Sequence, residues 1–257
     1  MNKTKPKARL LLSALSVLLT LYAPLNARAQ ETYAGSNQDA RTVLYFKVSP
    51  AALSKFLLQG WELSPATTGP TAGANLVVEF VDQLWATDPK GVVAAPYRYV
   101  LFGMPVKQNG SNSTDLMLFD GLSRGGAGPY GIAETAIDDV RQTVHYGSAS
   151  SSVDESWEFR GDSESVSLHA QFERGKLARE QSESHVYSQV KPQFSRIYRY
   201  VEGVDLLRGS GVAGDRLENF NFKAEGGKLS GIFDGREQLI SLMSVPWYAR
   251  DIYVPAP

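Results

Sequence analysis

The 257-residue chain has no cysteine, which excludes disulfides, thiolate metal sites and a cysteine nucleophile together. Histidine is nearly as scarce: His145, His169 and His185 are the whole supply, and their spacing does not mark a zinc site. No metal and no cofactor is therefore expected. An excess of basic residues is also missing. Once the first 29 residues are set aside, 21 Lys and Arg stand against 27 Asp and Glu, a net charge of −6. That balance favours solubility and argues against nucleic acid or an anionic lipid surface as partner. Long apolar runs are absent too, except at the start.

That starting run reads as an address. Lys3, Lys5, Lys7 and Arg9 precede an apolar stretch from Leu10 to Tyr22, and Ala27-Arg28-Ala29 supplies an A-x-A cleavage site. The stretch falls short of the roughly 20 apolar residues a membrane span needs. Residues 1–29 are thus expected to be a signal peptide, and 30–257 one exported, β-rich domain with no membrane span after cleavage. Export without cysteine fits a bacterial periplasm best. A chain of this length can bury a sizeable core without a covalent staple.

Along the mature chain, Glu31 to Ala40 is polar and small and reads as a loose arm. Arg41–Val48 is rich in β-branched and aromatic residues and predicts a strand. Ser49-Pro50 predicts a helix start, ended by Gly60. Further strands are predicted at Asn75–Asp82, Tyr97–Val106, Thr114–Phe119, Ser165–Phe172, Ser195–Val201, Leu217–Lys223, Lys228–Phe233 and Leu239–Met243. A short helix is predicted from Ile132 to Val140, after a turn with four glycines. Many short strands with few long helices predict a sandwich or closed barrel. Gly209-Ser210-Gly211-Val212-Ala213-Gly214 spells G-x-G-x-x-G, but no apolar helix follows it, so it reads as a glycine-rich loop and not a dinucleotide site.

Three stretches carry a family likeness. Tyr45-Phe46-Lys47-Val48-Ser49-Pro50-Ala51-Ala52-Leu53 is a strand running into a helix. Pro96-Tyr97-Arg98-Tyr99-Val100-Leu101-Phe102-Gly103-Met104-Pro105-Val106 is followed by Leu116-Met117-Leu118-Phe119-Asp120. Pro129-Tyr130-Gly131-Ile132-Ala133-Glu134-Thr135-Ala136 comes third. This order resembles the acetoacetate decarboxylase family, where a Tyr-x-Glu strand precedes a strand ending near Asp and then a Tyr-x-Pro-Lys-Lys type segment. The resemblance implies a mainly β (α+β) fold: one large, mostly antiparallel β-barrel or cone with a few covering helices, enclosing an apolar cavity. It implies a small hydrophobic, oxo or carboxylate ligand, and homo-oligomeric assembly is compatible with it.

The same comparison exposes a gap. In the family a lysine with a depressed pKa forms a Schiff base with the substrate ketone. Here Glu134 and Thr135 stand at the lysine positions, and Tyr99 stands where the family has its glutamate. Lys107 and Lys176 sit in turn sequence. The expectation is a protein that binds its ligand without Schiff-base decarboxylation. The alternative is a lyase that uses Arg98, Tyr99 and Glu134 in place of the amine. Tyr97, Phe102, Tyr130 and Thr135 are the expected ligand-binding residues. Glu134 also has a plainer reading, as an exposed acid in the first turn of a helix.

Overall fold

The computed structural model describes residues 31–148, 150–211 and 214–256; the segment expected to be a signal peptide, with its expected cleavage site, lies outside them. The first half of the chain supplies β1 (Thr32–Lys47), the helix α1 (Pro50–Ser54), β2 (Trp61–Leu63), β3 (Leu76–Thr87), β4 (Val93–Ala94), β5 (Tyr97–Gln108), β6 (Asp115–Ser123) and β7 (Ala133–Thr135). The second half supplies β8 (Ile137–Tyr146), β9 (Ser151–Arg160), β10 (Glu164–Glu173), β11 (Ala178–Ser188), β12 (Ser195–Arg208), β13 (Leu217–Gly226) and β14 (Gln238–Val254).

One sheet closes on itself. The order runs β5, β3, β1, β14, β12, β11, β6, and β6 pairs back onto β5. Closure removes the exposed edges that an open sheet of this size would present. Every pairing round the ring is antiparallel except that of β6 with β11; the rim strand β7 also runs parallel to β6. A second, antiparallel sheet in the order β13, β10, β9, β8 covers one side of the barrel.

Side-chain alternation explains why this sequence gives this pair of layers. On β9 and β10 every second residue is buried, among them Val153, Trp157, Phe159, Val166, Leu168 and Phe172. That is the pattern of a sheet with one wet face. On β1, residues 41–44 are all buried, because both faces of the strand are covered. Leu44 and Phe46 point outward to meet the second sheet, while Arg41, Val43 and Tyr45 point into the barrel. Between the layers Phe80 lies 5.7 Å from Trp157 and Phe46 lies 5.0 Å from Phe222, centroid to centroid. Phe80, Phe102, Phe119, Phe159 and Phe172 are fully buried, each contributing about 1.5–3 kcal/mol. Polar contacts also bridge the layers, among them Thr42 Oγ1, which donates to the buried Glu155 at 2.6 Å.

The structure corrects the sequence reading in several places. Residues 32–40 are not a loose arm but the first half of β1, paired to β3 on one side and β14 on the other. Part of their polar character belongs to buried side chains, Asn37 and Asp39, while Thr32 and Gln38 are exposed. Gly35 sits at a bulge with φ +125°, where an added Cβ would fall 2.1 Å from the carbonyl oxygen of Thr87. Residues 132–140 form β7 and part of β8, not a helix, and Ile137 is 74% exposed. Lys228–Phe233 holds a 3-10 turn at Leu229–Gly231, not a strand, after Gly226 and Gly227 with positive φ. α1 spans only Pro50–Ser54, well short of Gly60, and Ser49 makes no side-chain cap bond. Among the described residues no helix is long and apolar enough to cross a membrane.

Candidate functional site

The barrel encloses a cavity of about 1010 Å³ that opens to solvent. Strand parity decides what reaches it, because successive side chains point to opposite faces. On β5 the odd-numbered Tyr97, Tyr99 and Leu101 line the cavity, while the even-numbered Val100, Phe102 and Met104 lie in the core under the second sheet. On β12 the sequence Arg196, Tyr198, Tyr200, Glu202 faces inward at every second position. On β14 Tyr248, Arg250 and Ile252 do the same.

A chain of polar contacts crosses the cavity wall. Asp39 is fully buried and accepts two bonds from Arg41, at 2.8 Å from Nε and 3.1 Å from Nη2. Arg41 Nη1 donates to Glu79 at 3.2 Å, and its guanidinium lies 3.6 Å above the Tyr248 ring. Burial alone would lower the pKa of Arg41; the Asp39 carboxylate, with Glu79, more than offsets this and holds it well above the ordinary value. Asn37 donates to Asp39 at 2.9 Å and accepts from Arg250 Nε at 2.6 Å. Arg250 is therefore positioned through its Nε and by stacking over Tyr198 at 3.9 Å. Its two terminal nitrogens make no hydrogen bond among the described residues, and no carboxylate there pairs with it.

Arg196 is in a similar state. It lines the cavity, no carboxylate pairs with it among the described residues, and its buried Nε has no partner. Tyr130 and Tyr198 join hydroxyl to hydroxyl at 2.5 Å between these cations. Burial pushes the hydroxyl pKa values of Tyr99, Tyr130 and Tyr248 well above the ordinary range, so they are neutral donors at any physiological pH. Burial also pushes Glu202 up to about 7, with Arg41 opposing and Glu180 and Glu79 reinforcing the shift. Two arginines and several phenols around this space can donate hydrogen bonds to an anion, and a guanidinium matches a carboxylate in two parallel bonds.

The residues expected from sequence are placed as follows. Tyr97, Tyr99 and Tyr130 line the cavity. Arg98, one position out of phase, points away from the cavity, where it meets Asp82 of the neighbouring β3 at 3.1 Å and Asp138 of the second sheet at 3.8 Å. Phe102 is fully buried in the core between the sheets. Glu134 faces away from the cavity and accepts two bonds from Ser163, at 2.8 Å from its N–H and 2.5 Å from its hydroxyl, which lower its pKa. Thr135 is exposed on β7 and does not line the cavity. Tyr99 thus faces the cavity while Arg98 and Glu134 lie outside it, and the three side chains do not converge. Asn37, Asp39, Arg41, Arg196, Tyr198, Tyr248 and Arg250 went unrecognised in the sequence. The alternation Arg-x-Tyr-x-Tyr-x-Glu on β12 was the available signal.

Of the described residues lining the cavity, none is lysine. Lys47 is exposed at the end of β1, and Lys107 pairs with Glu62 at 3.1 Å. Gly121-Leu122-Ser123-Arg124-Gly125 spells G-x-S-x-G, and Ser123 lines the cavity. Its strand runs into a glycine turn, not a helix, and its hydroxyl accepts from Gly125 N–H at 3.0 Å. A nucleophile elbow needs the strand-to-helix turn and a base. His169 and His185 are engaged with Asp154 and Glu183 instead. Among the described residues no His, Asp and Glu cluster could hold a metal. The 209–214 glycine run lies between β12 and β13 with Val212 and Ala213 outside the described residues, and a strand follows it.

No protein-family model matches the chain, and no curated protein matches its sequence. Solved structures do match. The enduracididine biosynthesis enzyme MppR, complexed with pyruvate, superimposes with a TM-score of 0.51 at 12% identity, over 90% of this chain and 92% of that one. An acetoacetate decarboxylase-like enzyme from Sphingomonas wittichii RW1 gives 0.48 at 10% identity, over 87% and 91%. Acetoacetate decarboxylase from Legionella pneumophila gives 0.43 at 11%, over 95% and 96%. At such identities the likeness is one of architecture. The closed barrel with its covering sheet gives this chain the acetoacetate decarboxylase-like fold.

Proposed function

We propose that this protein holds a small carboxylate or oxo acid inside the barrel, anchored by Arg250 and Arg196, without forming an imine with it. The observation that carries the reading is the state of Arg250. Its guanidinium is fixed from behind by Asn37 and stacked on Tyr198, with its terminal nitrogens unspent. A guanidinium prepared in this way loses little freedom when a carboxylate docks on it in two parallel bonds. Tyr97, Tyr99 and the Tyr130–Tyr198 pair supply neutral donors for a second oxygen and apolar ring surface for the rest of the ligand. The MppR structure of the same fold is complexed with pyruvate, a ligand of the class proposed.

Imine chemistry needs a neutral amine against the substrate carbonyl, and arginine cannot provide one at accessible pH. The test is calorimetric titration of pyruvate and acetoacetate into the purified protein and into Arg250→Gln. Hydrogen bonds to a charged group are worth about 1.5–3 kcal/mol, so the variant is expected to bind at least about tenfold more weakly. Equal affinity in the two proteins would contradict the assignment of Arg250 as the anchor.

A further inference from the structure

The cavity has a second pole of opposite sign. Glu180 on β11 and Glu202 on β12 are directly opposite each other across the strands, and both line the cavity. Like charges in that position repel, and a sequence selected for stability alone would place a cation between them. Among the described residues none lies within ion-pair distance of either. Arg41, the nearest basic side chain in the wall, is already shared between Asp39 and Glu79. Glu202 therefore lines the cavity without a bonded cation, with the exposed Glu180 opposite it, whereas Arg196 and Arg250 have no paired carboxylate among the described residues.

A second observation is independent of the charges. Tyr248 is directly opposite Glu202 on its other side, is 4% exposed and lines the cavity. Its hydroxyl makes no hydrogen bond among the described residues. Its ring is held by Tyr200, stacked at 5.0 Å and 26°, and by the Arg41 guanidinium at 3.6 Å. An unspent phenol oxygen beside carboxylates without a bonded cation suits an organic ammonium. No three carboxylate or imidazole groups there converge closely enough for a metal ion.

Deepening the carboxylate reading and resting on it, we infer that the ligand is zwitterionic: an amino-carboxylate whose acid docks at Arg250 and whose ammonium docks between Glu202 and Glu180. Arg250 is paired with Tyr200, two residues from Glu202. The two docking points thus originate about 7 Å apart along the strand and about 5 Å apart across it, a span a short aliphatic amino acid bridges. The groups facing Glu202 are Arg41, Asp39 and Tyr45 from β1, Glu79 from β3, Glu180 from β11, Tyr248 from β14 and Tyr200 from its own strand. Burial and the neighbouring carboxylates leave it near half-protonated at neutral pH when no ligand is bound. An arriving ammonium supplies the missing countercharge.

The probes are 6-aminohexanoate and its uncharged-tail analogue heptanoate, titrated into the purified protein and into Glu202→Gln. The expected result is at least tenfold tighter binding of 6-aminohexanoate, with that preference falling to within about twofold in the variant. Within the unmodified protein the preference is expected to shrink as pH drops from 8 to 5 and Glu202 takes up its proton. Equal binding of both probes overturns the zwitterion assignment while leaving the carboxylate anchor standing. Binding of neither overturns both. A preference that survives in Glu202→Gln, or that does not depend on pH, overturns the placement of the ammonium at Glu202.

Discussion

Asp39 lies fully buried in the barrel wall, where an isolated charge would cost several kcal/mol. It is tolerated because Arg41 grips it with two bonds and Asn37 adds a third. Removing one partner of such a pair leaves the other buried and uncompensated. Asp39→Ala is therefore expected to destabilise the protein by about 3–5 kcal/mol, read as a lower urea midpoint with an unchanged slope. A loss under about 1 kcal/mol would mean that Arg41 finds another partner. Tyr97, Tyr99 and Tyr130 were legible as cavity candidates because they lie in the stretches that resemble the family. Arg98 and Phe102 were not, since one residue of strand phase separates a cavity wall from a core, and no local signal fixes that phase. Asn37 and Asp39 were hidden because a polar run reads as solvated until its pairing partners, more than 40 residues away on β3 and about 210 away on β14, are known.

The strands themselves were more legible. Those with one wet face, such as β10, announce their period directly, and those buried on both faces, such as β3 and β5, announce themselves as continuous apolar runs. The 3-10 turn at Leu229–Gly231 was missed because its apolar residues resemble a short strand. What holds it is tertiary: Lys228 N–H donates to Glu164 on β10 at 2.7 Å, and Lys228 Nζ reaches Asp120 on β6 at 3.2 Å. Burial, with the Asp120 carboxylate beside it, pushes Glu164 up to about 7. Its ordinary value is 4.5. Between those two values the folded state holds a proton that the unfolded chain has released. This contribution to stability therefore falls as pH rises from about 4.5 to about 7, and is flat above. Melting temperatures of the wild type and Glu164→Gln from pH 5 to 8 are expected to show the wild type losing ground to the variant over that window. Parallel curves would contradict the raised pKa.

At the scale of the whole molecule, closure of the ring through β5 and β6 creates an interior, and strand parity stocks it with arginines, glutamates and phenols where a core would have leucines. Burying that many polar groups is costly, and the ring supports them only because its outer face and the covering sheet carry a separate apolar core. The barrel was legible in the sequence from strand rhythm and family likeness. The chemistry of its interior was not, because it is assembled from β1, β3, β11, β12 and β14, far apart in the chain. The central claim is that this interior holds a carboxylate by guanidinium contacts and not through a covalent amine. Its most direct test is to incubate the protein with acetoacetate and borohydride and measure the intact mass. The expected result is an unchanged protein mass at ligand concentrations that saturate binding; a reduced-imine adduct on a lysine, lost together with CO2 release when that lysine is replaced by Ala, would contradict it.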